Sequence, residues 1–168
     1  SASVCTNDTN PYNILERLYK AGKTRVFYST NPASPDNIPI KTDVNKNSIP
    51  DYVENVALQA NTAAEVFSHV GFIHPLESKR YKNVVSYVDI HLVNQSGGVA
   101  YEIPSRMINR SDSENKCALK IVLSNNLGDF PGEYWSIVSH ELFHLYQYGY
   151  SQFKRGWYGE ATANWAER

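Results

Sequence analysis

Hydrophobic positions recur every three or four residues in two long stretches of the chain. The first stretch extends from Asp51 to a stop at Gly71, and the second from Glu133 to about Tyr150. A repeat near 3.6 residues lines apolar side chains along one side of an α-helix, so both stretches are predicted to be amphipathic helices. The apolar positions are Val53, Val56, Ala57, Ala60, Ala63, Ala64 and Phe67 in the first stretch and Ile137, Val138, Leu142 and Leu145 in the second.

Shorter patterns predict the remaining elements. Two further helices are expected, one at Ile14 to Lys20 and one beginning near Gly159. Alternating or β-branched runs predict strands. These runs are Thr24 to Thr30, Val84 to Val93, Val99 to Ile103 and Ala118 to Ser124. Residues 31–47 are rich in Pro, Asn and Asp, which is typical of a loop. Helices and strands that mix along the chain without a linker predict one α+β domain over residues 1–168.

Charge and hydropathy exclude two classes of partner. Sixteen Lys and Arg residues stand against seventeen Asp and Glu residues, for a net charge of -1. The chain therefore has no basic field that would hold a nucleic acid. No run of hydrophobic residues approaches the roughly twenty that a membrane-spanning helix needs. We expect neither a nucleic-acid partner nor a membrane span.

Cys5 and Cys117 are the two cysteines of the chain. They are too few for a disulfide framework, and they lack the close pairing of zinc-binding cysteines. One long-range disulfide is the simplest interpretation, and two unrelated buried thiols are the alternative. With twelve Tyr and one Met, this usage favours a secreted or extracellular protein, which we expect to be a monomer.

The second long helix contains His140-Glu141-x-x-His144. Four residues correspond to about 400° of rotation and about 6 Å of rise in a helix, so both imidazoles lie on one side and can reach one metal ion. Zinc binds imidazole nitrogen at about 2.0–2.1 Å, and its catalytic sites combine three protein ligands with a position for water. Glu141, rotated by about 100° from His140, can contact that water without binding the metal.

A third ligand is available in the run from Trp157 to Glu167. Glu160 opens the helix predicted there, and the chain between His144 and Glu160 is long enough for a turn and a return. Glu167 is the alternative ligand, because it follows seven residues later on nearly the same helix face. For the whole pattern, the simpler alternative is a pair of histidines that bind no metal.

The motif together with Glu160 in a Glu-Ala-Thr-Ala-Asn run resembles the gluzincin branch of zinc metallopeptidases. The resemblance implies His140, His144 and Glu160 as zinc ligands and Glu141 as the general base. It also implies that Asn164 accepts a hydrogen bond from Nδ1 of His140. The implied fold is zincin-like, with a mixed β-sheet packed against an active-site helix and a C-terminal helix that carries the glutamate.

The chain departs from that branch in two ways. His144 and Glu160 are a few residues closer together than in the best-known members. The C-terminal subdomain, which usually supplies a donor to the transition state, is expected to be minimal or missing. Candidate replacement donors are Tyr148, Tyr150, Tyr158 and Tyr101. For each of them, an ordinary half-buried tyrosine is the alternative. Gln147 is expected either to face the cleft or to be solvated.

The segment from Asp43 to Glu54 has oxygen-bearing groups in the order of an EF-hand calcium loop. The ligands would be the side chains of Asp43, Asn45, Asn47, Asp51 and Glu54 and the carbonyl oxygen of Ile49. The segment also resembles the Asp-x-Asn-x-Asn-Gly-Ile-Pro-Asp calcium loops of secreted bacterial proteins, with Ser48 in place of the glycine. The alternative is a polar turn that caps the following helix.

Together these patterns predict a zinc endopeptidase that hydrolyses protein or peptide substrates, with calcium as a second candidate cofactor. The strand at Val99 to Ile103 is a candidate edge with which an extended substrate pairs. Two other functions stay open. One is a zinc hydrolase of a non-peptide substrate, and the other is a non-enzymatic surface module that metals stabilise.

Overall fold

The computed structural model describes residues 15–79, 81–83, 85–103, 118–128, 132–150 and 162–166. Their architecture is α+β, as the sequence predicts. The strands are β1 (Arg17–Ala21), β2 (Thr24–Tyr28), β3 (Val88–Val93), β4 (Gly98–Ile103) and β5 (Ala118–Ser124). The long helices are α1 (Asp51–His69) and α2 (Gly132–Tyr150). A 3₁₀ turn covers Pro75–Glu77, and residues 162–166 are helical.

The five strands form one mixed sheet in the order β1-β2-β3-β5-β4. The three inner strands are parallel, and the strand at each edge is antiparallel to its neighbour. Parallel neighbours need a crossover connection, which α1 supplies between β2 and β3. β4 therefore lies at a sheet edge in the described part of the chain, as the sequence suggested. In the same residues, no helix combines the length and apolar character needed to cross a membrane.

The hydrophobic core lies between one face of the sheet and the two long helices. The predicted apolar positions of both helices are buried except Ala64 and Ile137, which are partly buried. The ring of Phe67 on α1 meets the rings of Phe143 and Tyr146 on α2 edge to face, with centroids 5.1 and 5.2 Å apart. This geometry is favourable for aromatic pairs. It packs α2 against α1 through the helix face that carries Phe143 and Tyr146.

The predicted helix from Ile14 to Lys20 is wrong over its described part, because residues 15–16 are irregular and residues 17–20 belong to β1. β1 pairs with β2 across a two-residue turn at Gly22 and Lys23. Gly22 has φ +57°, a value that glycine adopts without steric cost and that hairpin turns favour. In so short a segment, helical and strand periodicities are hard to distinguish, and pairing with β2 decides the outcome.

The predicted strand from Val84 to Val93 is too long at its start. β3 begins at Val88, which pairs with Thr24 of β2 and Leu119 of β5. Just before it, the amide of Val85 donates to the carbonyl of Tyr81 in a turn, at 3.0 Å. The β-branched run therefore extends beyond the paired residues. The prediction at Ala118 to Ser124 is confirmed, and those at Val99 to Ile103 and Glu133 to Tyr150 begin one residue late.

The opposite face of the sheet carries a buried ion pair. Arg25 donates from Nε and Nη2 to the two carboxylate oxygens of Asp89 at 2.7 and 2.8 Å. Asp89 is also in register with Lys120 on β5, and all three residues are buried. Two parallel hydrogen bonds from one guanidinium hold such a pair in a single geometry.

Candidate metal centre

His140 and His144 lie on one side of α2, as their spacing predicts. Their Nε2 atoms are 3.1 Å apart, and their ring centroids are 4.8 Å apart. Two nitrogens that each bind a tetrahedral zinc ion at about 2.0–2.1 Å are about 3.3 Å from one another. The two imidazoles are therefore already close to the separation that a shared ion requires.

His144 is held through its other ring nitrogen. Nδ1 of His144 is 3.0 Å from Oε1 of Gln147, and Nε2 of Gln147 donates to the hydroxyl of Thr162 at 2.5 Å. An amide oxygen only accepts hydrogen bonds, so this contact favours the tautomer of His144 that carries its ring proton on Nδ1. Nε2 then keeps its lone pair, which is the form in which histidine binds a metal.

Glu141 lies between α2 and the edge strand β4. Its side chain is buried, and its Cγ atom is 2.8 Å from the position that a Cβ atom on Gly98 would occupy. Real side chains do not approach so closely, so the absence of a side chain at Gly98 is what lets the strand lie against this carboxylic acid. The predicted general base is thus beside the strand that is the candidate for pairing with substrate.

The candidate donor tyrosines differ in their surroundings. The ring of Tyr148 is nearly parallel to that of His144, at 18° with centroids 6.5 Å apart, and its hydroxyl is 3.5 Å from the carbonyl oxygen of Ala100 on β4. The hydroxyl of Tyr150 instead accepts a hydrogen bond from the amide of Ile73, at 3.0 Å. Tyr158 and the side chain of Tyr101 lie outside the described residues. Of the two candidates within the described ranges, Tyr148 is the one with a ring beside His144 and a hydroxyl near β4.

Residues 162–166 pack against α2, on the side that adjoins the two histidines. Ala163 is buried, and the ring of Trp165 is 6.2 Å from that of Phe143, measured between centroids. Glu160 and Glu167, the two candidates for the third ligand, lie outside the described residues, and so do Cys5 and Cys117. Asn164 is exposed, and within the described ranges no hydrogen bond joins it to His140.

The contact from this segment to the histidines runs instead through Thr162 and Gln147. This connection is not predicted from the sequence, although Gln147 follows His144 by three residues and therefore shares its helix face. For the part of the chain described here, no group of three or more His, Cys, Asp and Glu side chains is placed to hold a metal ion. α2 by itself brings together two of the three predicted ligands, His140 and His144.

The loop from Asp43 to Glu54 closes on its own acidic and amide side chains. The carboxylate of Asp43 accepts from the backbone amides of Asn47 at 3.1 Å and Ser48 at 2.8 Å. The side-chain amides of Asn45 and Asn47 donate to the carboxylate of Glu54 at 3.0 and 2.6 Å. The predicted ligand side chains at both ends of the loop are therefore close together.

Two more residues shape the backbone of this loop. Ser48 has φ +72°, the conformation for which calcium loops usually select glycine. The serine thus adopts the turn geometry that the missing glycine would supply. Asp51 accepts from the amide of Val44 at 3.2 Å, so it joins the first residue of α1 to the start of the loop.

Comparison with known proteins adds no relationship: no family model, no curated protein and no solved structure matches the chain.

Proposed function

We propose that the protein is a secreted zinc endopeptidase with a zincin-like fold, in which His140, His144 and Glu160 bind the metal. One observation carries the proposal: two imidazole Nε2 atoms 3.1 Å apart on one helix face, next to a glutamate that lies against an edge strand. The mixed sheet, with an antiparallel edge beside α2, supports the zincin-like fold.

The donor set fits zinc. Two imidazole nitrogens and one carboxylate are a combination that catalytic zinc sites use, with the fourth position left for water. Glu160 precedes Thr162 by two residues, and two residues of chain span at most about 7 Å. The hydroxyl of Thr162 is bonded to Gln147 on α2, so the length of the chain allows Glu160 to serve as the third ligand. Glu167 remains the alternative ligand.

Zinc bound there would polarise the scissile carbonyl and lower the pKa of the attacking water toward neutrality. Glu141 accepts the proton of that water and passes it to the leaving amine, as a general base and then a general acid. Tyr148 donates a hydrogen bond to the oxygen on which negative charge develops. The burial of Glu141 beneath β4 keeps the proton transfer away from bulk water.

The position of β4 favours a peptide as the substrate. An edge strand offers backbone amides and carbonyls that an extended peptide can pair with. Glu141 lies at Gly98, and the hydroxyl of Tyr148 lies near Ala100, so a peptide aligned on β4 would pass both groups. A small ester would use the metal and Glu141 but not the strand.

The test is the substitution Glu141→Gln, which preserves size and removes the base. We expect zinc content to be unchanged and casein hydrolysis to fall by about 10²- to 10⁴-fold, the usual contribution of a general base. Glu65→Gln, at an exposed position on α1, is the matched control and should leave hydrolysis unchanged. Undiminished cleavage by Glu141→Gln would contradict the mechanism.

The same preparations separate the alternatives. Hydrolysis of small esters without cleavage of casein or unstructured peptides would indicate a zinc hydrolase of another substrate class. Zinc held by four protein ligands, with no hydrolysis of either, would indicate a structural metal in a surface module.

We also propose that the loop from Asp43 to Glu54 binds calcium and that Cys5 and Cys117 form a disulfide. Calcium takes six to eight oxygen ligands at about 2.3–2.6 Å, and the contacts of Asp43 and Asn47 with their neighbours support a preformed loop. A disulfide between distant cysteines is typical of secreted proteins. Mass spectrometry of non-reduced peptides would detect the Cys5–Cys117 link.

A further inference from the structure

We propose that Gln147 and Thr162 form a hydrogen-bond relay that positions His144 for metal binding. Gln147 is then a positioning residue, acting through His144, and Thr162 holds Gln147. This inference rests on the zinc site proposed above, because the relay can affect metal binding only if His144 is a ligand.

The relay is continuous from the imidazole to the segment beyond α2. It runs from Nδ1 of His144 to Oε1 of Gln147 at 3.0 Å, and from Nε2 of Gln147 to Oγ1 of Thr162 at 2.5 Å. Each end of the Gln147 amide is engaged, so the side chain cannot rotate without breaking a hydrogen bond. With its oxygen toward Nδ1, the amide favours the tautomer protonated at Nδ1 and restrains the orientation of the imidazole.

The surroundings of the relay are apolar. Gln147 and Thr162 border a hollow that is otherwise lined largely by aromatic rings, including Phe72, Phe143 and Trp165. Hydrogen bonds in such surroundings compete less with water and are stronger than at an open surface. A methionine would fill the same space without polar atoms, so packing alone does not explain an amide at this position.

The relay also connects two parts of the chain that form the site. Gln147 lies one turn beyond the metal-binding motif on α2, whereas Thr162 belongs to the helical segment that packs on α2. The orientation of His144 is thereby coupled to the docking of that segment. Sequence spacing alone, which gives only the His144 to Gln147 half of the relay, does not reveal this coupling.

The experiment compares the zinc affinity of the wild type with that of single and double variants, measured by competition with a chromogenic chelator on the whole chain. Gln147→Met fills the same space without polar atoms and should lower zinc affinity by about 10- to 100-fold, the range for partners that orient metal ligands. Gln147→Glu should stay close to wild type, because a carboxylate accepts from both Nδ1 of His144 and the hydroxyl of Thr162. Gln59→Met, at a buried position on α1, is the matched control and should leave zinc affinity unchanged.

Thr162→Val breaks the relay at its far end and should lower zinc affinity by less than Gln147→Met. The double variant should be no weaker than Gln147→Met alone, since both changes interrupt one path. The visible absorption spectrum of the cobalt-substituted protein gives a second readout. We expect it to change in Gln147→Met and Thr162→Val, because the geometry of a ligand changes, and to be retained in Gln147→Glu.

Wild-type affinity and an unaltered cobalt spectrum in both Gln147→Met and Thr162→Val would overturn the relay. Independent, additive losses in the double variant would overturn it as well. These failures differ from a failure of the zinc site itself, in which His144→Ala would bind zinc as well as wild type does. If Gln147→Met does not fold, Thr162→Val and Gln147→Glu decide the question.

Discussion

Replacing Gly98 with alanine should slow hydrolysis by displacing the proposed general base. A Cβ atom at residue 98 would lie 2.8 Å from Cγ of Glu141, 3.0 Å from Cδ1 of Leu123 and 3.2 Å from Cγ2 of Ile137. Carbon atoms in contact are ordinarily about 3.5–4.0 Å apart. The shortest of these contacts therefore has to lengthen by about 0.7 Å or more, and that contact is with the general base.

The expected magnitude follows from this displacement. A misplacement of about 1 Å in a catalytic group can cost about 100-fold in rate, so we expect kcat to fall by about 10- to 100-fold in Gly98→Ala. Overpacking of this kind also costs about 1–3 kcal/mol of stability. Zinc content should not change, because the three atoms nearest to the added Cβ belong to Glu141, Leu123 and Ile137 and not to either histidine.

The assay is hydrolysis of a fluorogenic, unstructured peptide, with kcat and KM measured separately and zinc quantified in each preparation. Gly149→Ala is the matched control. It lies on α2, and its Cβ atom would be 3.1 Å from Cβ of Ser78, so it tests tight packing on the same helix away from Glu141. A folded, zinc-loaded Gly98→Ala with wild-type kcat would refute the reasoning that β4 sets the position of Glu141.

Four further outcomes are expected. Added calcium should raise the melting temperature of the wild type, and Glu54→Ala should abolish that rise. Tyr52→Phe should lower the free energy of unfolding in urea by about 1–3 kcal/mol, because the buried Tyr52 hydroxyl donates to the carbonyl of Ser124 at 2.6 Å and accepts from the amide of Leu127 at 3.2 Å. Asp89→Asn should lower it by about 3–5 kcal/mol, since it leaves the buried charge of Arg25 without its partner. Burial, followed by the charges of Lys120 and Arg25, lowers the pKa of His91 to about 3. The unfolded chain, with a histidine pKa near 6.5, then binds the proton first, so the contribution of His91 is complete above about pH 6.5 and is lost as the pH falls toward 3. The slope should be at most about 1.4 kcal/mol per pH unit and should disappear in His91→Gln.

Each of these outcomes has a contrary result. A melting temperature that does not change when calcium is added would favour the polar-turn alternative at the loop. Unchanged unfolding of Tyr52→Phe or Asp89→Asn would show that the neighbouring groups find other partners. A pH slope that survives in His91→Gln would have to come from other groups, such as His74, whose pKa burial lowers to about 4.

The helices of this fold are largely predictable because they follow apolar periodicity. α1 begins at Asp51, and its buried residues recur at the expected positions. β1 is not predictable in the same way, since its exposed residues form a strand only because β2 lies next to them. The strand order β1-β2-β3-β5-β4 depends on pairing between distant segments, which local patterns do not encode.

The candidate site, too, could be predicted from the sequence only where it depends on local helix geometry. The placement of His140 and His144 on one face follows from helical geometry and could be predicted from their spacing. The contact of Glu141 with Gly98 could not, because it depends on which strand lies beside α2. The expected partner of His140, Asn164, is exposed instead, and the contact from that segment comes from Thr162, one half-turn away on the same helix.

The most direct test of the proposed zinc site is anomalous scattering from a crystal of the full chain, measured on both sides of the zinc absorption edge. We expect one zinc peak about 2.0–2.1 Å from Nε2 of both His140 and His144, with a carboxylate oxygen of Glu160 as the third protein ligand. No zinc peak at the two histidines, in protein grown and purified with zinc present, would contradict it.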